Sequence, residues 1–108
     1  MYKPGTKVVA LLDINAKTKT IRMFGYGEYV GDEIPDENSI GFANLLHQSK
    51  VKNPKIVLEN GKIVWGCESR WGPVEGFKEK HPTPLWTIQM VDIDAARAES
   101  EGRPQARA

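Results

Sequence analysis

Lys55-Ile56-Val57-Leu58-Glu59-Asn60-Gly61-Lys62-Ile63-Val64-Trp65 sets two apolar runs on either side of an Asn-Gly pair. Asn-Gly tolerates positive φ at both central turn positions, as a type I′ hairpin requires. A two-residue turn would set Glu59 opposite Lys62, Leu58 opposite Ile63, Val57 opposite Val64 and Ile56 opposite Trp65. On that register Ile56, Leu58, Ile63, Trp65 and Cys67 share the core face. Val57, Glu59, Lys62, Val64 and Gly66 form the thinner one.

Working outward, residues 6–14 carry Val8, Val9, Leu11, Leu12 and Ile14, so both alternating faces are apolar. That pattern predicts a central strand covered on two sides. Residues 19–29 form a second strand, with Ile21 and Met23 on one face and Arg22, Phe24 and Tyr26 on the other. Gly25 and Gly27 continue the first face and permit sharp bending or a close backbone approach. After an acidic loop, Asn38 or Ser39 can cap a short helix running to about residue 48, with Ile40, Ala43 and Leu46 as its apolar stripe. Residues 74–80 suit one or two helical turns. His81-Pro82-Thr83-Pro84 must be extended, because each residue before a proline is pushed out of the α region. Residues 85–93 form a last strand of uncertain phase.

The expected fold is therefore mainly β: a small, strongly bent antiparallel barrel of the SH3-like kind with a short helical insertion. An α+β arrangement, an antiparallel sheet under one helix, is the alternative. The 108 residues fit one domain. It is expected over 1–94, with 95–108 as a flexible or partly helical tail, because the composition there turns to Ala, Arg, Glu, Ser, Gly and Pro.

Charge and cysteine content narrow the function classes. The formal net charge is +1, so any attraction to nucleic acid must come from a local patch rather than a global field. The lone Cys67 cannot form an internal disulfide. No stretch approaches a membrane span, and Met1-Tyr2-Lys3-Pro4-Gly5 lacks the apolar run of a signal peptide. These features predict a cytoplasmic address and no membrane partner.

Gly25-Tyr26-Gly27-Glu28-Tyr29-Val30-Gly31 has the glycine spacing of a phosphate loop. It leads into Asp32, Glu33 and Pro35, where negative charge would repel phosphate and no helix opens. Strand bending is the better reading, and no cofactor is expected. The carboxylates of residues 32–37 match no calcium-loop spacing, so no metal site is assigned. Cys67 with His47 or His81 as base would be the centre of an enzyme reading, but a thiol beside Trp65 on the core face reads as a small buried hydrophobe. No catalytic residue is assigned.

The aromatic residues carry the leading expectation. Tyr26 and Tyr29 on the bent strand, with Arg70 and Trp71 after the hairpin, would form a ligand-binding surface on which bases stack, prolines dock or cations sit. Lys50, Lys52, Lys55, Lys62 and Arg70 supply a basic run. The predicted function is thus a non-catalytic binding module for a protein partner or nucleic acid. Its alternative is a small enzyme or a metal- or ligand-binding protein using Cys67, His47 or the acidic loop 32–37. Open sheet edges would also let two copies pair, so a homodimer belongs to the expectation.

Asn53-Pro54-Lys55-Ile56, Asn60-Gly61-Lys62-Ile63-Val64-Trp65-Gly66-Cys67-Glu68 and Trp71-Gly72-Pro73, with Gly25-Tyr26-Gly27 and Gly31-Asp32-Glu33, resemble a group of small uncharacterised bacterial and mobile-element proteins of phage, plasmid or integron-cassette type. The resemblance covers about residues 5–75. It implies a bacterial origin and a domain, with no activity to transfer. That group often has a second cysteine and a tryptophan where this chain has Ser69 and Arg70, so a paired-cysteine role would fail.

Overall fold

Alternation of apolar side chains with charged turns produces six strands in the computed structural model, which describes residues 2–102 and the side chains through Glu99. They are β1 (Thr6–Asn15), β2 (Thr20–Glu33), β3 (Asn53–Leu58), β4 (Ile63–Trp65), β5 (Arg70–Pro73) and β6 (Thr87–Met90). Three helices accompany them: α1 (Gly41–Ser49), α2 (Phe77–Lys80) and α3 (Ile93–Gly102). The sheet order is β4-β3-β2-β1-β5. β6 lies parallel to the first residues of β2, on the edge that β3 occupies further along, and the other pairings are antiparallel. The fold is mainly β, as the strand and glycine pattern predicts. The sheet stays open: β4 and β5 end its path and are linked by a 3-10 turn, Gly66–Glu68.

Two register shifts bend the long β1–β2 ribbon, between Ala10 and Leu11 and between Leu11 and Asp13. Gly25 sits at the first with φ 146°, a conformation that side-chain-bearing residues rarely adopt. The extra residue changes the parity of everything that follows. Phe24 joins Val8, Ala10, Tyr29, Ile56, Leu58, Val64 and Ile93 in one cluster. Tyr26 packs with Val9, Leu11, Ile21, Met23 and Phe77 in the other. Strict alternation had put Phe24 and Tyr26 on one face, and the bulge separates them. β1 does supply both clusters, as expected of a strand covered on two sides.

The hairpin forms where Asn-Gly predicts it, but one residue out of the expected register. Lys55 pairs with Trp65, Ile56 with Val64 and Val57 with Ile63. The amide of Gly61 donates to the Leu58 carbonyl at 2.8 Å, and the amide of Leu58 to the Lys62 carbonyl at 2.8 Å. This is a three-residue loop, a type I turn closed by Gly61 at φ 87°. The Asn60 side chain accepts from the Lys62 amide at 2.9 Å, which holds the turn. A one-residue slip exchanges faces, so Val64, not Ile63 and Trp65, joins Ile56 and Leu58. Trp65 is still only 5% exposed, sharing a cavity wall with Asp36, Ser39 and Ile40 from the segment before α1.

β4 stops at Trp65, so Cys67 leaves the strand for the 3-10 turn and is half-buried rather than part of the core face. Its amide donates to Asn53 Oδ1 at 2.8 Å. The expected boundary at 94/95 falls inside α3. Ile93 is buried in the first cluster, with Ala96 packed against it. Arg97 donates to Glu68 at 2.7 Å and to the Ile63 carbonyl at 2.8 Å. Residues 103–108 of the expected tail lie outside the described residues.

Candidate functional site

Parity decides where the four predicted site residues go. Tyr29 and Trp71 come together: their rings stack at 5.3 Å with an interplanar angle of 21°, and Tyr2 meets Trp71 edge-on at 5.6 Å. Tyr29 is only 3% exposed. Its hydroxyl donates to the Asp32 carboxylate, which, with burial, holds the phenol above its ordinary pKa and so protonated. Tyr29 therefore offers no free platform. Tyr26 lies on the other face with Phe77. Arg70 pairs with Leu11 and follows it to that face, while Trp71 pairs with Ala10. The expected single surface of Tyr26, Tyr29, Arg70 and Trp71 is thus two surfaces, with half-buried Trp71 beside closed-off Tyr29 on one and half-buried Tyr26 on the other, which opens toward α2.

That open face is built by α2 and the proline-bracketed segment before β6. Tyr26 meets Phe77 edge-on at 6.4 Å, Phe77 meets His81 at 4.7 Å, and His81 meets Trp86 edge-on at 4.7 Å. The His81 ring is oriented by Nδ1, which donates to the Phe77 carbonyl at 2.9 Å. Tyr26, His81 and Trp86 are half-buried, so each keeps part of its ring surface accessible. Lys19 Nζ stands 5.3 Å above the Trp86 ring and Lys78 Nζ 5.4 Å above Tyr26. Beside the row, Val9, Leu11, Phe77 and His81 line a cavity of about 410 Å³ that also takes in Arg70, Trp71, Lys80 and Glu75. Lys19, Arg70, Lys78 and Lys80 form no ion pair among the described residues, whereas Lys7, Arg22, Lys55, Lys62 and Arg97 do.

Phe77, His81, Trp86 and Lys19 went unselected in the sequence. His81 and Trp86 flank a Pro-Thr-Pro segment whose path no periodicity fixes. Phe77 belongs to a helix of only four residues. Lys19 precedes β2 in a turn. The spacing of Phe77 and His81, one helical turn apart, was the available signal.

Of the groups in the alternative reading, His47 meets the acidic loop at Pro35, and each group is engaged within the fold. Burial, then the neighbouring Glu68, pushes the Cys67 thiol up, opposite to what a nucleophile needs. His47 Nδ1 donates to the Pro35 carbonyl at 2.8 Å. In the acidic loop, Asp32 accepts from Tyr29, Glu33 pairs with Lys55, and Asp36 accepts from the Asn38 amide and Ser39 hydroxyl. Among the described residues no three or more of His, Cys, Asp and Glu group to hold a metal ion. No helix there is long and apolar enough to cross a membrane. No family model, curated protein or solved structure matches the chain.

Proposed function

We propose that the protein is a non-catalytic binding module that takes single-stranded nucleic acid on the face of Tyr26, His81 and Trp86, which buried Phe77 supports from beneath. The observation that carries this reading is the combination of half-open aromatic rings with lysines over them that form no ion pair among the described residues. Bases stack on any aromatic face, and cations beside those rings pair with the phosphates between bases. Arg70, from the original set, contributes charge at the adjoining cavity. Tyr29, stacked on Trp71, packs the opposite side of the sheet and takes no part in binding. The absence of a cysteine partner supports a reducing, cytoplasmic compartment. A protein partner is the second reading, supported by Phe42 and Leu45, which α1 leaves 60% and 55% exposed.

Fluorescence anisotropy of a labelled single-stranded oligonucleotide, repeated across a salt series, tests the reading. Contacts from Lys19, Arg70, Lys78 and Lys80 give a log–log slope of roughly −2 to −3. Absence of binding at low salt, or binding indifferent to salt, would overturn it.

A further inference from the structure

α1 turns Ala43 inward, with Leu46 and His47 half-buried, while Phe42 and Leu45 face solvent one turn apart. Ile40 and Val51, at its two ends, are also exposed. Beside this stripe, Phe42 shares with Leu12, Phe24, Cys67, Ile93 and Ala96 a groove of about 280 Å³. The two ends of the stripe differ in charge. Asp36 and Glu37 precede it; Lys50 and Lys52 follow it. Glu37, Lys50 and Lys52 make no ion pair among the described residues and are exposed.

Lys50 is informative in itself. The helix closes with the Val51 amide on the Leu46 carbonyl at 2.9 Å and the Lys50 amide on the His47 carbonyl at 3.1 Å. This closure needs a left-handed residue, and glycine is the usual one. The chain instead holds lysine there at φ 57°, accepting strain to place a cation at that point.

We infer that α1 is a homodimer interface, packing antiparallel on α1 of a second copy about a two-fold axis. An isologous contact brings one patch against itself. The axis that sets Phe42 opposite the partner's Leu45 also brings the acidic turn before one α1, with Glu37, toward the basic segment after the other, with Lys50. Asp36 and Lys52 then reinforce the pair at each end. An acidic end and a basic end on one apolar stripe are self-complementary in this arrangement and repel in the parallel one. The sheet edges are poorer candidates. β4 has three residues and its Ile63 carbonyl is taken by Arg97, while β5 carries Pro73. This inference does not rest on nucleic-acid binding, which uses the other side of the sheet.

Sedimentation velocity of the full chain over a dilution series tests it. Wild type should form a reversible dimer. Leu45→Glu should raise the dissociation constant at least about ten-fold, with an unchanged circular dichroism spectrum, as loss of a central apolar anchor does. Lys50→Gly should weaken the dimer while keeping or raising the melting temperature. Glu37→Lys and Lys50→Glu should each dimerise more weakly alone than when mixed, since mixing sets the unaltered basic end of the first opposite the unaltered acidic end of the second. A wild type that is monomeric at every concentration overturns the inference and leaves the stripe to another protein. A dimer that ignores Leu45→Glu, or single-charge variants that associate no more tightly on mixing, overturns it as well.

Discussion

Tyr26 and Tyr29 stand three residues apart on one strand and end in different chemical settings. Tyr29 is stacked on Trp71, hydrogen-bonded to Asp32 and shut off from solvent. Tyr26 keeps an open edge beneath Lys78 and starts a row of rings reaching Trp86. An odd spacing on a strand puts two side chains on opposite faces, and the covering element then decides what each becomes. The Tyr29 face receives α3, whose Ile93 seals it. The Tyr26 face receives only the short α2 and, in place of the extended connection expected there, a turn closed by the Trp86 amide on the Pro82 carbonyl at 2.9 Å, which cover it partially. An aromatic residue is therefore structural or available according to the length of the element laid over it.

The largest expected effect breaks the frame that both faces share. Gly27 leaves no room for a side chain: an added Cβ would lie 2.4 Å from the Val57 carbonyl oxygen and 2.9 Å from Leu58 Cα, both backbone atoms. Gly27→Ala should cost about 3 kcal/mol or more and remove both aromatic groups together, measured by chemical denaturation. Trp71→Ala, by contrast, separates the faces. It should destabilise the fold by about 2–3 kcal/mol, less than a fully buried tryptophan, while the folded fraction keeps its nucleic-acid affinity. Lys19→Ala and Lys78→Ala should do the reverse. Each should change stability by less than about 0.5 kcal/mol and reduce the magnitude of the salt slope by about one contact.

The smallest effect is set by pH. Lys62, and then the Ala95 amide, hold the Asp92 carboxyl below its ordinary range. The folded state thus binds this proton less readily than the unfolded chain. The stabilisation is complete above the unfolded value near 4 and is lost as pH falls through the lower folded value. Asp92 caps α3, so acidification below about pH 4 should raise amide exchange at Ala95 and Ala96 and loosen the Tyr29 face first. The row from Tyr26 to Trp86 has no such dependence on α3.

Much of this division was written in the sequence, and the missing part has one physical cause. Val8, Val9, Leu11 and Ile14 announced a strand buried on both sides, and Asn60-Gly61 announced a hairpin. Faces, however, depend on counting residues by parity, and a single extra residue reverses the count. Gly25 and Gly27 both permit a bulge, and nothing local says that Gly25 takes it. Asn60-Gly61 fits a two-residue loop and the last two places of a three-residue loop equally well, so Ile63 and Trp65 were exchanged with Val64. Of the candidate site we propose, Tyr26 and Arg70 were singled out in the sequence, while Phe77, His81 and Trp86 were hidden where chain direction depends on tertiary packing. The docking of Arg97 on Glu68 and Ile63 joins positions about thirty apart, which no periodicity reports.

The three tryptophans provide separate reporters on this division, since Trp65, Trp71 and Trp86 occupy different settings. Titration of the isotopically labelled protein with a short single-stranded oligonucleotide would follow their indole N–H resonances in one spectrum. Saturable shifts at Trp86, accompanied by Tyr26 and His81 and reversed by salt, are expected, with Trp71 left in place. Shifts centred on Trp71, or none at any of the three, would contradict the assignment of the open aromatic row as the binding face.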